Sequence, residues 1–131
     1  MRKLHANEQK QLLAFARALL KMKETNLVFL DEASSSLDHE TDAVIQRLLR
    51  TKMAHATILC VAHRLDTIID YDRILVFAQG RVVEDDTPAR LLRDRDSTFS
   101  ALVRETSNED ALREMAFRAE RSRLVDGPRS P

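Results

Sequence analysis

Asn26-Leu27-Val28-Phe29-Leu30-Asp31-Glu32 is the stretch on which the fold turns. Four apolar residues in succession, closed by two carboxylates, read as a short strand buried on both faces, as in a parallel sheet. Thr57-Ile58-Leu59-Cys60-Val61-Ala62 repeats the pattern and ends at His63-Arg64. Between the two runs lies a helical pattern. Asp38 stands as its N-cap, and Glu40 and Asp42 put negative charge in its first turn. Val44, Ile45, Leu48 and Leu49 make one stripe, and the helix runs to about Met53.

Working outward, residues 8–22 place Leu12, Leu13, Phe15, Ala16, Leu19 and Leu20 at helical spacing. Downstream, a short helical stretch spans Leu65 to Ile69. Arg73-Ile74-Leu75-Val76-Phe77 is a third strand, and Gln79-Gly80 turns into a fourth, Arg81-Val82-Val83-Glu84. Thr87-Pro88 is a cap followed by proline in the first turn. It starts a helix over 89–93, and another follows over about 97–105. The order is that of an α/β domain.

Composition narrows the functions available. The 131 residues carry 21 basic and 21 acidic side chains, so the basic excess expected of a nucleic-acid binder is missing. Average usage would supply about nine glycines. The chain has two, Gly80 and Gly127, too far apart to build a Gly-x-x-x-x-Gly-Lys-Ser/Thr phosphate loop. The single cysteine, Cys60, makes no internal disulfide and no multi-cysteine zinc site. No apolar run approaches the roughly 20 residues that span a bilayer, and Met1-Arg2-Lys3-Leu4-His5 has no apolar signal core.

The chemistry gathers at the strand ends. Successive side chains on a strand point to opposite sides. Of two adjacent carboxylates at a strand end, one can face a metal while the other turns toward a neighbouring space. That suits a magnesium ion and a general base for water. The same pair reads equally well as the acidic end of a strand entering the Ser34-Ser35-Ser36 turn. His63 shifts the balance. It ends a second strand expected to lie parallel to the first, and ligands bind where parallel strands end. A histidine and two carboxylates at that edge suit a polyphosphate ligand.

These residues, taken together, resemble a known family. Leu27 through Asp38 (Leu-Val-Phe-Leu-Asp-Glu-Ala-Ser-Ser-Ser-Leu-Asp) looks like the Walker B motif and D-loop of ATP-binding-cassette (ABC) transporters. Val61-Ala62-His63-Arg64-Leu65-Asp66-Thr67-Ile68 looks like the switch-histidine loop of their exporter branch. Gln11 to Leu20 is similar to the helix after the signature motif, and Asp70 to Val76 and Gly80 to Glu84 continue the likeness. The Tyr71-Asp72-Arg73 wording resembles that of the second cassette of the multidrug-resistance-associated, subfamily C, class.

The resemblance covers about residues 4–104. It implies an α/β fold that is the C-terminal half of a P-loop NTPase, a partial, mostly parallel sheet flanked by helices. It implies two segments: a partial nucleotide-binding domain over 1–106 and a charged tail, helical or disordered, over 107–131. By this likeness Asp31 holds Mg²⁺, Glu32 is the general base, and His63 contacts the γ-phosphate of ATP. Ser36 and Asp38 lie in the D-loop facing a second cassette. Transmembrane domains are the other implied partner, with the cassette on the cytoplasmic face of the membrane. For the isolated chain the expectation is a soluble cytoplasmic protein with no nucleic-acid partner and no insertion into the bilayer.

The chain departs from the family in two respects. The phosphate loop, the adenine-stacking aromatic and the Q-loop, all upstream of the signature helix in the family, have no counterpart. The signature itself is altered: Ala6 stands where the family has serine and Glu8 where it has glycine, although Gln9, Lys10 and Gln11 fit. The expectation is a fragment of an exporter ATPase that is inactive alone. The alternative is an inactive remnant, or a truncated gene product, acting at most as an interaction module. In the family the phosphate-loop strand lies between the strand ending at His63 and the strand at 73–77, so two open strand edges are expected here.

Overall fold

Why the chain breaks into helices and strands where it does is visible in its caps. In the computed structural model, which describes residues 5–21, 24–31 and 37–126, α1 spans Ala6–Leu20 and opens at His5. The His5 backbone N–H donates to Glu8 Oε2 at 2.6 Å, so the third helical residue closes a capping box on the residue before the helix. This moves the helix start two residues upstream of the sequence expectation. Next, β1 spans Leu27–Asp31, α2 His39–Lys52 and β2 Thr57–Val61. Then α3 covers Leu65–Ile68, β3 Ile74–Ala78, β4 Arg81–Asp86, α4 Pro88–Arg93, α5 Thr98–Arg104 and α6 Glu109–Asp126.

The chain divides into two units, one ending at His63 and one beginning at Arg64. In the first, β1 and β2 pair in parallel, with Leu27 opposite Thr57 and Asp31 opposite Val61. The α2 crossover makes this pairing possible, since parallel strands need a long connection. Asp38 caps α2: its carboxylate accepts from the Thr41 N–H at 3.4 Å and from Thr41 Oγ1 at 2.7 Å. Phe15 of α1, Leu37, and Ile45, Leu49 and Met53 of α2 and its end are buried, with Val28, Leu30 and Ile58 packed against them.

The strands are not covered on both faces. Leu27, Phe29, Leu59 and Val61 are exposed, Phe29 by 71% and Val61 by 61%. The expectation of strands buried on both sides is therefore corrected. Helices α1 and α2 supply apolar side chains to one face of the pair, while the odd-numbered residues form an uncovered apolar stripe. A continuous apolar run marks a strand suited to two covered faces, and this unit covers only one.

In the second unit β3 and β4 form an antiparallel hairpin with a bulge between Val76 and Phe77. Gln79 (φ 50°) and Gly80 (φ 74°) make the turn. Two positive φ values in succession match the right-handed strand twist, and glycine accepts the second without strain. β3 and β4 form their own two-stranded sheet, separate in hydrogen bonding from β1 and β2. Leu75, Phe77, Val82 and Val83 are also exposed.

Behind the hairpin, Ile69, Ile74, Val76, Leu91, Leu92, Phe99, Val103, Leu112 and Ala116 form the core. Thr87 caps α4 by accepting the Arg90 N–H at 3.3 Å, with Pro88 in the first turn. Ser97 caps α5 by accepting the Ser100 N–H at 2.9 Å. The Glu84 carboxylate joins strand to helix by accepting the N–H groups of Thr98 and Phe99. An anion suits that position because the first N–H groups of a helix have no partner within it.

The last helix, α6, buries only Leu112 and Ala116 fully. Polar bonds complete its docking. Arg113 donates to the Leu92 carbonyl at 2.6 Å, and Arg93 pairs with Glu120 through both guanidinium nitrogens. The Arg93 guanidinium holds the Glu120 carboxyl below the usual carboxylate range, as Arg73 does for Asp85 on the hairpin. Both pairs are solvated, so the shifts report good geometry more than large stabilisation.

Candidate functional site

Parallel pairing in register brings the ends of β1 and β2 to one edge of the sheet. Asp31 is the last residue of β1 and faces Val61, the last residue of β2. His63 follows two residues later and is exposed. Both therefore lie at the same end of the strand pair. Side-chain alternation also puts Asp31 on the face of Leu27 and Phe29, the uncovered one. The carboxylate thus borders the open apolar stripe and not the helix-covered core.

Other expected site residues sit on different elements of the same unit. Asp38 is at the N-terminus of α2, and its carboxylate is engaged by Thr41. Ala6, Glu8 and Gln9 lie in the first turns of α1. Glu8 is 4% exposed, and its carboxylate binds the His5 N–H. The capping role was the residue missed in sequence. Its signal was a glutamate three positions after the helix-preceding residue, obscured because histidine stands where serine or threonine usually marks the box. Glu32 and Ser36 lie outside the described residues.

Among the described residues no group of three or more His, Cys, Asp or Glu side chains is placed to hold a metal ion. Asp31 alone is still a suitable donor for magnesium. That ion is commonly held by one or two carboxylates, with phosphate oxygens and water completing the shell. Asp38 caps α2 whichever reading of the site holds. As a cap, Asp38→Ala should lower stability by about 1 kcal/mol, read as a shifted urea midpoint with unchanged slope. Asp38→Ser, which keeps a cap oxygen, should restore most of it.

No protein-family profile matches the chain. Individual proteins do. "ABC transporter C family member 8" of Dictyostelium discoideum is 48% identical over 104 residues, 79% of this chain. "ABC transporter C family member 5" of Arabidopsis thaliana is 48% identical over 100 residues, 76% of this chain. "Multidrug resistance protein mrp-7" of Caenorhabditis elegans is 44% identical over 102 residues, 78% of this chain. The chain spans only 6% of the length of the first two relatives and 7% of the third. Among solved structures, a bacterial Atm1-family ABC exporter with ATP bound is similar at a TM-score of 0.71 and 37% identity. The match covers 79% of this chain and 18% of that one.

Proposed function

Starting from a chain that is homologous over about four-fifths of its length to the ABC transporter C family, we propose that it forms the C-terminal part of an exporter's nucleotide-binding domain. In the complete domain, ATP binding and hydrolysis would drive solute export. The partners are the upstream half of the cassette, a second cassette and transmembrane domains, placing the chain at the cytoplasmic face of a membrane. No helix among the described residues is long and apolar enough to cross a membrane. The observation that carries the reading is the in-register parallel pair with Asp31 and His63 at one edge.

Each residue has a task in that reading. Asp31 holds Mg²⁺, which supplies charge neutralisation to the phosphates when bound. Glu32 takes a proton from the attacking water, and His63 donates a hydrogen bond to the terminal phosphate. Ser36 and Asp38 face the second cassette. Ala6, Glu8 and Gln9 occupy the altered signature. The uncovered stripe of Leu27, Phe29, Leu59 and Val61 is the surface on which the upstream half would close.

A second reading has its own support. Glu8 stands where the family's glycine lets backbone approach phosphate, and its carboxylate is buried as a helix cap. Negative charge there opposes a phosphate. This favours a segment that no longer serves the opposite nucleotide site, or a chain kept only as an interaction module.

The test is reconstitution. The chain is co-produced with a polypeptide carrying the phosphate loop and adenine-stacking aromatic of a subfamily C cassette, and Mg-ATP binding is titrated. The complex should bind Mg-ATP, and Asp31→Asn should weaken binding with Mg²⁺ far more than with EDTA. Complementation without nucleotide binding leaves the interaction-module reading.

A further inference from the structure

Helix α6, for which the nucleotide reading has no use, is fastened to the second unit mainly by arginine. Its apolar anchors, Leu112, Ala116 and the half-buried Phe117, lie in its first half. From Phe117 to Val125 no side chain is fully buried, and Leu124 and Val125 stand in solvent. Polar attachments lie in this second half. Glu120 pairs with Arg93, whose guanidinium also sits 5.4 Å from the centre of the Phe117 ring. Arg123 donates to the Asp70 carbonyl and pairs with Asp72 at 2.9 Å.

Asp70 and Asp72 belong to the turn that follows α3. The turn is closed by the Tyr71 N–H donating to the Ile68 carbonyl at 2.9 Å and is rooted by the fully buried Ile69. It is the downstream end of the segment that begins directly after His63. A single arginine near the end of the chain thus grips the exit of that segment.

We infer that the second half of α6 is a latch on the 69–72 turn, closed by Arg123. Because the apolar anchors precede Arg123 by more than a turn, the latch opens without dissolving the core. Local opening of this kind needs only a few solvent-accessible polar bonds to break. When closed, it fixes the end of the His63-to-Tyr71 segment. The latch therefore ties the mobility of the segment from Arg64 to Asp72 to the second half of α6.

The experiment is residue-resolved amide exchange on the full 131-residue chain, needing no nucleotide. Its outcome is thus independent of the ATPase reading. Arg123→Ala should speed exchange of the Tyr71 amide by about tenfold, the scale of a charge-assisted hydrogen bond partly open to water. Arg123→Lys should fall between the two. Arg118→Ala, which breaks an exposed pair with Glu114 on the same helix, should leave Tyr71 unchanged. Unchanged Tyr71 exchange in Arg123→Ala overturns the latch. So does equal acceleration at Tyr71 and at core amides such as Val103, which would make Arg123 an ordinary contributor to overall stability.

Discussion

Replacing Glu32 by glutamine in a cassette completed by its upstream half should lower ATP turnover by about 10²–10⁴-fold while nucleotide still binds. The amide keeps the shape and the hydrogen-bonding capacity of the carboxylate but takes no proton from water. The loss is therefore expected in kcat and not in the nucleotide dissociation constant. Asp31→Asn should carry the opposite signature, impaired Mg²⁺-dependent binding, because the proposed task of that carboxylate is to hold the metal. Steady-state hydrolysis and nucleotide titration on the same preparations separate the two. Equal turnover with Gln at position 32 would remove Glu32 from the chemistry, whatever the fate of the fold.

Phe99→Ala should destabilise the second unit by about 3–5 kcal/mol. Phe99 is 1% exposed and joins the hairpin core to α5. Removing its ring takes away apolar burial and leaves a cavity that α4, α5 and α6 are too tightly tied to fill. Whole domains are stable by only about 5–15 kcal/mol, so the change consumes a large share. Urea unfolding followed by the ellipticity of the helices should show the midpoint falling. Phe99→Leu, which keeps most of the volume, should cost much less. If Phe99→Ala moves the midpoint no more than an exposed change such as Arg118→Ala, the core has been assigned to the wrong residues.

What was legible beforehand was what local chemistry decides. Asp38 and Thr87 announce helix starts because a side-chain oxygen satisfies nearby N–H groups. Gln79-Gly80 announces a hairpin because few residues accept positive φ. The pairing of Asp31 with the strand before His63 followed from two apolar runs joined by a helix. Less legible was anything decided across distance. The run Leu27–Leu30 says that the strand is apolar, not whether both its faces find cover within the same chain. The carboxylate of Glu84 on α5 and the grip of Arg123 on Asp70 join residues 14 and 53 apart, separations over which periodicity carries no information. Glu8 was read for its charge where the family has glycine, and its burial as a cap emerged only from the helix that begins at Ala6.

The uncovered stripe on β1 and β2 has a meaning for the chain's fate in a cell. A two-stranded parallel sheet with unpaired edges and Phe29 in water offers the kind of surface that associates indiscriminately. Left uncovered, such a surface would draw chaperones and proteases, which act on exposed apolar segments. A polypeptide segment seated over Phe29 and Val61 should accordingly slow cleavage of this unit by protease.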